Sequence, residues 1–361
     1  MQFRTLGTTD IQVSRICLGT MTWGNQNSQD EAFEQIEYAL NQGVNFIDTA
    51  EIYAFPPSKD RYGKTETIIG NWFKKTGRRD DVILATKMMG WGHSFARKGR
   101  GLVKSDVKTA VEGSLKRLQT DVIDLYQLHW PQRKTNFFGQ RDYMHHYAKE
   151  EQMQDYILQI LEGLKEAIAE GKIRHIGLSN ETPYGIMKYL EYAKYHDMPR
   201  MQSVQNPYSL VQRQWDQHIA EVSLYENIGL LAYSPLAGGM LSGKYMNNQC
   251  PKGSRFTLPE CAERMQQYQQ PQVEGTVEKY VALAQKYNIT PVQLAIAWVN
   301  SRNYLTSNII GATSIKQLKE VLSAEDIHLP DELIFDVEML HNQCSNPVLR
   351  FWGMNNPEPK K

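Results

Sequence analysis

Eight short runs rich in apolar and β-branched residues alternate along the chain with longer stretches of helical periodicity. This alternation constrains the fold most, because it is typical of repeated βα units around a parallel sheet. Several of the runs are apolar on both faces, as buried parallel strands must be. The predicted strands span residues 16–18, 45–48, 82–86, 122–128, 173–178, 203–205, 229–233 and 308–310.

Helix-start signals separate these runs. Ser28 with Glu31, and Ser314 with Gln317, have the spacing of a capping box, in which two side chains satisfy the free N–H groups of the first helical turn. Ser105 is expected to cap the helix before the fourth predicted strand. The sequence therefore predicts a helix between successive strands.

The length of 361 residues is compatible with two domains or with one large barrel carrying insertions. Eight βα units favour a single α/β domain over 1–361, a closed (β/α)8 TIM barrel, because a barrel needs about 250 residues and buries every strand edge. The surplus is predicted in an N-terminal hairpin turning at 7–10 that plugs the barrel bottom, in insertions at 131–155 and 246–275 after strands four and seven, in an extra C-terminal helix and in a flexible tail at 346–361. In a barrel both insertions lie at the face where active sites are built, so they are candidates for substrate loops as well as for plain surface loops.

The charge balance excludes several function classes. Lys and Arg number 40 and Asp and Glu also number 40, so the chain lacks the basic footprint of a nucleic-acid or anionic-membrane binder. The first residues carry Arg4, Asp10 and Arg15, where an export signal would be apolar. The four cysteines form no CxxC motif. We expect a cytoplasmic protein with small-molecule partners, no metal site, and neither nucleic acid nor membrane as a partner.

Four residues with chemical potential occur at or just after the ends of three consecutive predicted strands. Asp48 ends the second strand and Tyr53 follows in its loop, Lys87 follows the third, and His129 follows the fourth. Any one of them alone is compatible with a structural role. Because parallel barrel strands end on one face, the four side chains are expected to meet there.

The four side chains together suit proton transfer to a carbonyl oxygen. A lysine close to a tyrosine is expected to lower the phenol pKa, and Asp48 is expected to hold Lys87 charged. Tyr53 can then act as a general acid while His129 orients the carbonyl by a hydrogen bond. No side chain supplies a hydride, so a nicotinamide cofactor is implied.

Later strand ends supply candidates for binding that cofactor. Ser179, Asn180 and Gln205 can hydrogen-bond a carboxamide, and Tyr233 can stack on an aromatic ring, although each is also compatible with ordinary loop polarity. The helix start after the eighth strand suits a phosphate, and Lys244 and Arg255 can add positive charge. No GxGxxG after a strand, GxxxxGK[ST] or HExxH motif occurs, so Rossmann, P-loop and zincin functions have no support.

The chain resembles the aldo-keto reductase superfamily in ordered motifs that cover residues 1–345. They include LGTMTWG at 18–24, DTAEIY at 48–53, ATK at 85–87, GKIRHIGLSN at 171–180, AYSPLAGGMLSGKY at 232–245 and IIGATSIKQL at 309–318. Within the superfamily the sequence is similar to the bacterial Tas-like reductases and, more distantly, to potassium channel β-subunits. The resemblance implies a barrel that reduces small aldehydes or ketones with NADP(H).

The same resemblance implies roles for individual positions. Tyr53 would be the proton donor, Asp48 and Lys87 its tuning pair, and His129 the substrate-orienting residue. Cofactor contacts are implied for Thr20, Met21, Gln26, Asp48, Ser179, Asn180, Gln205, Tyr233, Ser234, Leu236, Gly238, Lys244, Arg255, Gly311, Thr313, Gln317 and Glu320. The resemblance implies a preference for NADP over NAD. The sequence departs from the family pattern at two positions of this site, because Val321 replaces an asparagine common among relatives and Gln317 replaces an arginine of one branch.

Two further hypotheses come from other classes. The chain could be an NADP(H)-binding redox sensor or partner-binding module with slow turnover, or a Schiff-base aldolase that uses Lys87. The substrate would depend on the two insertions and on aromatic residues near the strand ends, for which Trp23, Phe55, Trp91 and Trp130 are candidates. The sequence leaves the physiological substrate and the oligomeric state open.

Overall fold

A computed structural model describes residues 1–144 and 153–350, the side chains of 153–155 excepted, and its core is a closed barrel of eight parallel strands. A two-stranded antiparallel hairpin precedes the barrel. The hairpin strands are β1 (Phe3–Thr5) and β2 (Gln12–Ser14), and the barrel strands in chain order are β3 (Ile16–Gly19), β4 (Phe46–Asp48), β5 (Ile83–Met88), β6 (Ile123–Leu128), β7 (Ile173–Ser179), β8 (Met201–Pro207), β9 (Gly229–Tyr233) and β10 (Leu305–Ile310). Strand β10 pairs with β3 and closes the ring, so the predicted TIM barrel is confirmed.

All eight predicted strands are present, but β8 and β10 are longer than predicted. The additional residues are largely polar, and hydrogen bonds satisfy several buried polar groups of these two strands. Ser307 Oγ donates to the Ser14 carbonyl oxygen at 2.7 Å, and Asn206 Nδ2 donates to the Glu181 carbonyl oxygen at 2.9 Å. A search for apolar runs misses such residues, because their polarity is compensated by partners distant in sequence.

Helices surround the barrel between its strands. They are α1 (Gln29–Asn41), α2 (Lys64–Thr76), α3 (Lys104–Leu118), α4 (Met153–Ala169), α5 (Pro183–Tyr195), α6 (Gln214–His218), α7 (Ala220–Tyr225), α8 (Pro259–Arg264), α9 (Pro271–Lys286), α10 (Pro291–Asn300), α11 (Ile315–Leu322) and α12 (Asp331–Gln343). Helix α12 is the predicted extra C-terminal helix. In the described part of the chain no helix has the length and apolar character needed to cross a membrane.

The helix-start predictions meet three different outcomes. Ser28 and Glu31 form the predicted capping box of α1. Ser105 does not cap α3, which begins at Lys104, because the Asp106 carboxylate accepts the Val103 N–H at 2.9 Å and starts the helix earlier. At α11 the Ser314 side chain accepts the Gln317 N–H as predicted, but the Gln317 side chain accepts from Thr313 instead of Ser314.

The N-terminal hairpin closes the lower end of the barrel. Leu6 and Val13 are completely buried and pack with residues of the barrel interior, among them Phe46 and Leu125. The Thr8 N–H donates to Gln202 Oε1 at 2.9 Å and fixes the turn against β8. The apolar plug removes water from the barrel interior beneath the upper strand ends.

The two predicted insertions follow β6 and β9 and extend over the upper end of the barrel. The second one was predicted as a loop, but it contains α8 and the first residues of α9. Residues 145–152 of the first insertion and 351–361 of the predicted tail lie outside the described residues. Residues 346–350 pack on the barrel, since Val348 is completely buried and the Arg213 N–H donates to Asn346 Oδ1 at 2.5 Å.

Gly7 in the hairpin turn and Gly77 at the end of α2 allow the packing of the turn against β8 to be tested. Gly7 (φ +56°) and Gly77 (φ +69°) both have left-handed backbone, where a Cβ costs about 1–2 kcal/mol. A Cβ at Gly7 would also lie well inside van der Waals distance of the Gln202 carbonyl oxygen, whereas nothing lies within 4 Å of one at Gly77. We expect Gly7→Ala to lower the free energy of unfolding by at least about 1 kcal/mol more than Gly77→Ala, because it adds overpacking to the same strain.

Denaturant unfolding of the two variants beside the wild type measures this difference. Equal losses for the two variants would contradict the close packing of the turn on β8.

Candidate active site at the upper barrel end

A cavity of about 1300 Å³ opens at the carboxyl ends of the barrel strands. Every residue predicted from the sequence as catalytic or cofactor-binding lines this cavity, except Lys87, which lies beneath it. The lining set comprises Thr20, Met21, Gln26, Asp48, Tyr53, His129, Ser179, Asn180, Gln205, Tyr233, Ser234, Leu236, Gly238, Lys244, Arg255, Gly311, Thr313, Gln317 and Glu320. The topology therefore brings together residues that span 300 positions of the sequence.

A buried ion pair forms the floor of this cavity. Lys87 Nζ donates to Asp48 Oδ2 at 2.6 Å and to the Thr49 carbonyl oxygen at 2.6 Å, and the lysine side chain is completely buried. The other carboxylate oxygen, Asp48 Oδ1, accepts from Gln127 Nε2 at 3.1 Å and from Gln205 Nε2 at 2.9 Å. Both oxygens of Asp48 thus have partners, as a buried carboxylate requires.

The same pair fixes the charge on Lys87. Burial alone would lower the lysine pKa, but the Asp48 carboxylate and the Tyr53 phenol outweigh burial and raise it. Lys87 is therefore an ammonium group at neutral pH. An ammonium has no free electron pair, so the geometry does not support the hypothesis of a Schiff-base aldolase.

Tyr53 lies directly above the ion pair. Its ring centroid is 5.1 Å from Lys87 Nζ and 5.7 Å from the centroid of the His129 ring, which meets it edge to face. Burial raises the phenol pKa, Lys87 lowers it and Asp48 raises it, and the net direction is upward. Lys87 acts in the expected direction, but the expectation of a lowered phenol pKa is wrong, because loss of solvation outweighs the nearby ammonium.

His129 is held in its neutral form. Burial, followed by the charge of Lys87 and by His93, places the pKa of His129 well below its ordinary value. The His129 N–H of the backbone donates to the Met88 carbonyl oxygen at 3.0 Å, which fixes the residue at the end of β6. A neutral imidazole can donate one hydrogen bond to a carbonyl oxygen without adding charge.

The residues predicted to bind the carboxamide and the ring of the cofactor lie at the ends of β7, β8 and β9. The Asn180 amide donates to the His129 carbonyl oxygen at 2.9 Å, and the Tyr233 hydroxyl donates to Asn180 Oδ1 at 2.6 Å. Ser179 Oγ donates to the Gln205 carbonyl oxygen at 2.8 Å. Hydrogen bonds thus hold these side chains in place, and Tyr233 presents its ring to the cavity while its hydroxyl orients Asn180.

Lys244 and Arg255 are the half-buried lysine and arginine away from this floor, and the exposed Lys252, Arg264 and Lys316 also line the cavity. In the described part of the chain neither Lys244 nor Arg255 has a carboxylate within 4 Å, and burial lowers the pKa of each. An unpaired cation in a half-buried position is costly unless an anion accompanies it. A dinucleotide pyrophosphate would supply that charge, so the residues present fit the implied cofactor.

The start of α11 forms the far end of the cavity. Gln317 Oε1 accepts from the Thr313 N–H at 2.9 Å and from Thr313 Oγ1 at 3.1 Å, which leaves the amide nitrogen of Gln317 available for a ligand. Lys316 also lines this end, together with Glu320 and Val321.

Sequence reasoning missed several residues of the cavity. Gln127 is completely buried and hydrogen-bonds Asp48, and only its alternation with His129 along β6 could have signalled it. Phe137 and Phe138 in the first insertion line the cavity beside Trp91 and Trp130. Phe55 also lines it, as predicted.

Trp23 does not line the cavity, contrary to expectation. It is completely buried in the core, and its indole N–H donates to Gln35 Oε1 at 3.1 Å. The sequence predicts a strand end followed by a loop at residues 18–24. It could not distinguish whether the Trp23 ring points into the cavity or packs under α1.

Comparison with known proteins agrees with this geometry. The sequence profile of the aldo/keto reductase family matches residues 15–341. Protein tas of Escherichia coli is 41% identical over 351 residues, covering 96% of this chain and 100% of that protein. An NADH-specific methylglyoxal reductase of Escherichia coli is 30% identical over 344 residues, covering 90% of this chain and 94% of that protein.

The chain is also similar to a protein named as a channel subunit. A probable voltage-gated potassium channel subunit beta of Arabidopsis thaliana is 30% identical over 334 residues, covering 91% of this chain and 92% of that protein. The profile match and these full-length similarities show that the chain is an oxidoreductase acting on carbonyl groups and belongs to the aldo/keto reductase family.

Proposed function

We propose that this protein reduces an aldehyde or ketone to the alcohol with NADPH, with Tyr53 as the general acid. The observation that carries the proposal is the position of Tyr53 between the buried Asp48–Lys87 pair and the neutral His129, at the floor of a cavity that the half-buried Lys244 and Arg255 also line. A redox sensor would need the cations for binding but would have little use for a complete proton-delivery set.

Each side chain has a defined task in this reaction. The His129 imidazole hydrogen-bonds the substrate carbonyl oxygen and holds it near the Tyr53 hydroxyl. A nicotinamide held by Ser179, Asn180, Gln205 and Tyr233 would supply the hydride. As the carbonyl oxygen gains negative charge it takes the Tyr53 proton, and Lys87 stabilises the phenolate that remains until solvent returns a proton. Asp48 keeps Lys87 charged and in place throughout.

The binding of NADP(H) follows from the residues on the other wall. Ser179, Asn180 and Gln205 would hold the carboxamide and the Tyr233 ring would cover the nicotinamide face. Lys244 and Arg255 would neutralise the pyrophosphate, and the start of α11 with Gln317 would hold the adenosine end. The positive charge of Lys316 at that end supports a preference for the 2′-phosphate of NADPH.

The cytoplasmic location stays a prediction of the sequence.

Removal of the Tyr53 hydroxyl tests the general acid. We expect Tyr53→Phe to lower kcat for carbonyl reduction by about 10²–10⁴-fold, because a positioned acid contributes this much, while NADPH still binds. Tyr195→Phe, which changes an exposed tyrosine on α5, serves as the control. Unchanged carbonyl-dependent NADPH oxidation in Tyr53→Phe would contradict the mechanism, and a fast single turnover followed by slow cofactor exchange in the wild type would favour the sensor instead.

The pKa directions predict the pH dependence of reduction. Tyr53, with a raised pKa, keeps its proton through the neutral range, and His129, with a lowered pKa, stays neutral there. We expect kcat/KM to be constant between about pH 6.5 and 9 and to fall at higher pH as Tyr53 loses the proton that reduction consumes. A rate profile at saturating NADPH measures this. An acid limb with a midpoint near the ordinary histidine pKa would show that His129 titrates, against the geometry.

Neutralisation of the cavity cations tests the cofactor site. We expect Lys244→Met and Arg255→Met each to weaken NADPH binding by about tenfold or more, because a charge-assisted contact contributes about 1.5–3 kcal/mol. Lys165→Met, an exposed lysine outside the cavity that pairs with Asp197, should leave the Kd unchanged. Titration of protein fluorescence with NADPH and NADH compares the variants, and equal Kd values in all three would place the pyrophosphate elsewhere.

A further inference from the structure

The side-chain amide of Gln127 lies between two residues of the candidate site. Gln127 is completely buried on β6, and its Nε2 donates to Asp48 Oδ1 at 3.1 Å. Its Oε1 accepts from Gln205 Nε2 at 3.1 Å. Gln205 Nε2 also donates to Asp48 Oδ1, at 2.9 Å. Asp48, Gln127 and Gln205 thus form a closed ring of hydrogen bonds, the buried triangle, which joins the ends of β4, β6 and β8.

Asp48 determines the direction of every hydrogen bond in the buried triangle. Because Asp48 is paired with the Lys87 ammonium, its carboxylate only accepts hydrogen bonds. The two amide atoms that face Asp48 Oδ1 must therefore both be nitrogens. A reversed Gln127 amide would turn its oxygen towards the carboxylate and its nitrogen towards the nitrogen of Gln205, and both contacts would be repulsive. The chemistry of the three groups thus permits one arrangement.

This arrangement uses both N–H groups of Gln205 and leaves its oxygen free. One N–H goes to Asp48 and the other goes to Gln127. In the described part of the chain Gln205 Oε1 has no hydrogen-bond partner, and Gln205 lines the cavity. An amide oxygen is an acceptor only. The atom that Gln205 offers to a ligand therefore takes a hydrogen bond from an N–H or O–H group.

Gln127 excludes a second orientation of the Gln205 amide. Asp48 engages only one of the two N–H groups of Gln205. Without Gln127 the amide could tilt and offer its other N–H to the cavity, where this donor would compete with the oxygen for the ligand. A buried N–H without an acceptor is unfavourable, so the tilt would also be favoured by the need to find one.

We propose that Gln127 is a positioning residue for the cofactor: by accepting the second N–H of Gln205, it fixes the Gln205 amide so that its oxygen accepts from the N–H of the nicotinamide carboxamide. This inference rests on the proposed function, which assigns Gln205 to the carboxamide. Through Asp48, the same triangle joins the cofactor side of the cavity to the ion pair beneath Tyr53.

Two nucleotides that differ in one group test this orientation without turnover. The acetylpyridine analogue of NADP+ has a methyl group where NADP+ has the carboxamide NH2, so it keeps the carbonyl oxygen and loses the donor. We expect the wild type to bind NADP+ at least about threefold more tightly than the analogue, as one net hydrogen bond gives. Titration of protein fluorescence measures both Kd values. Equal values would overturn the inference, and this comparison needs no variant to fold.

A substitution of Gln127 locates the preference. Gln127→Met keeps the length of the side chain and removes its hydrogen-bonding groups. We expect the ratio of the two Kd values to fall to less than about half of the wild-type ratio, while the Kd for 2′-phospho-ADP-ribose, which lacks the nicotinamide, stays within about twofold. Gln35→Met makes the same change at a buried glutamine on α1 and should keep the wild-type ratio. A wild-type ratio in Gln127→Met would contradict the positioning role.

A conservative variant separates hydrogen bonding from packing. Two carboxyl groups as close as Asp48 and the side chain of Gln127→Glu share a proton, so this variant can still donate to Asp48 and accept from Gln205. We expect Gln127→Glu to keep more of the wild-type ratio than Gln127→Met. Equally low ratios in the two variants would indicate a loss of packing and contradict the role of the hydrogen bonds.

These measurements separate the inference from the proposed function. They use no carbonyl compound, so the preference for NADP+ over its analogue can be absent while carbonyl reduction with NADPH proceeds. In that case the inference fails and the proposed function stands. If the wild type binds neither NADP+ nor 2′-phospho-ADP-ribose, the proposed function itself fails.

Discussion

The buried pair of Asp48 and Lys87 is the interaction on which the rest of the site depends. A lysine in the apolar barrel interior is tolerated only with a partner, and removal of one partner of such a pair costs about 3–5 kcal/mol. Asp48 also accepts from Gln127 and Gln205, so side chains of β5, β6 and β8 meet on the carboxylate at the end of β4. The Asp48 carboxylate thus fixes the relative positions of four strand ends, and the Tyr53 ring lies above them, 5.1 Å from Lys87 Nζ.

Charge is distributed unevenly over the cavity although the whole chain has no net charge. At the floor, Asp48 cancels Lys87, and His129 is neutral because burial and Lys87 oppose its protonation. The half-buried cations Lys244 and Arg255 lie on the wall formed after β9, and Lys316 lies at the start of α11. These positive charges lie where phosphates would bind. Global charge balance says little about such local separation.

The sequence predicted the barrel because apolar periodicity and strand number are local signals, and it predicted the site because strand ends in a closed parallel barrel share one face. It failed where two neighbouring residues compete to cap a helix and where a residue's role depends on a distant partner. The predicted cap Ser105 gives way to Asp106, whose carboxylate binds both Val103 and Arg100. Arg133 and Glu181 are 48 positions apart, and nothing near either residue indicates that they pair. The net direction of the Tyr53 pKa depends on the depth of burial, which the sequence does not contain.

The floor of the cavity and the aromatic rings at its rim have different supports in this barrel. The Asp48 carboxylate joins the strand ends at the floor, whereas Trp91 and Phe137 lie in two loops. Each loop contains an arginine that pairs with a buried carboxylate: Arg133 with Glu181, and Arg97 with Glu51, which also accepts the Met89 N–H at 2.6 Å. Both glutamates lie within three residues of a strand end of the site. Because Glu51 lies two residues before Tyr53 and Glu181 directly follows Asn180, these ion pairs connect the two loops to the segments that carry residues of the site.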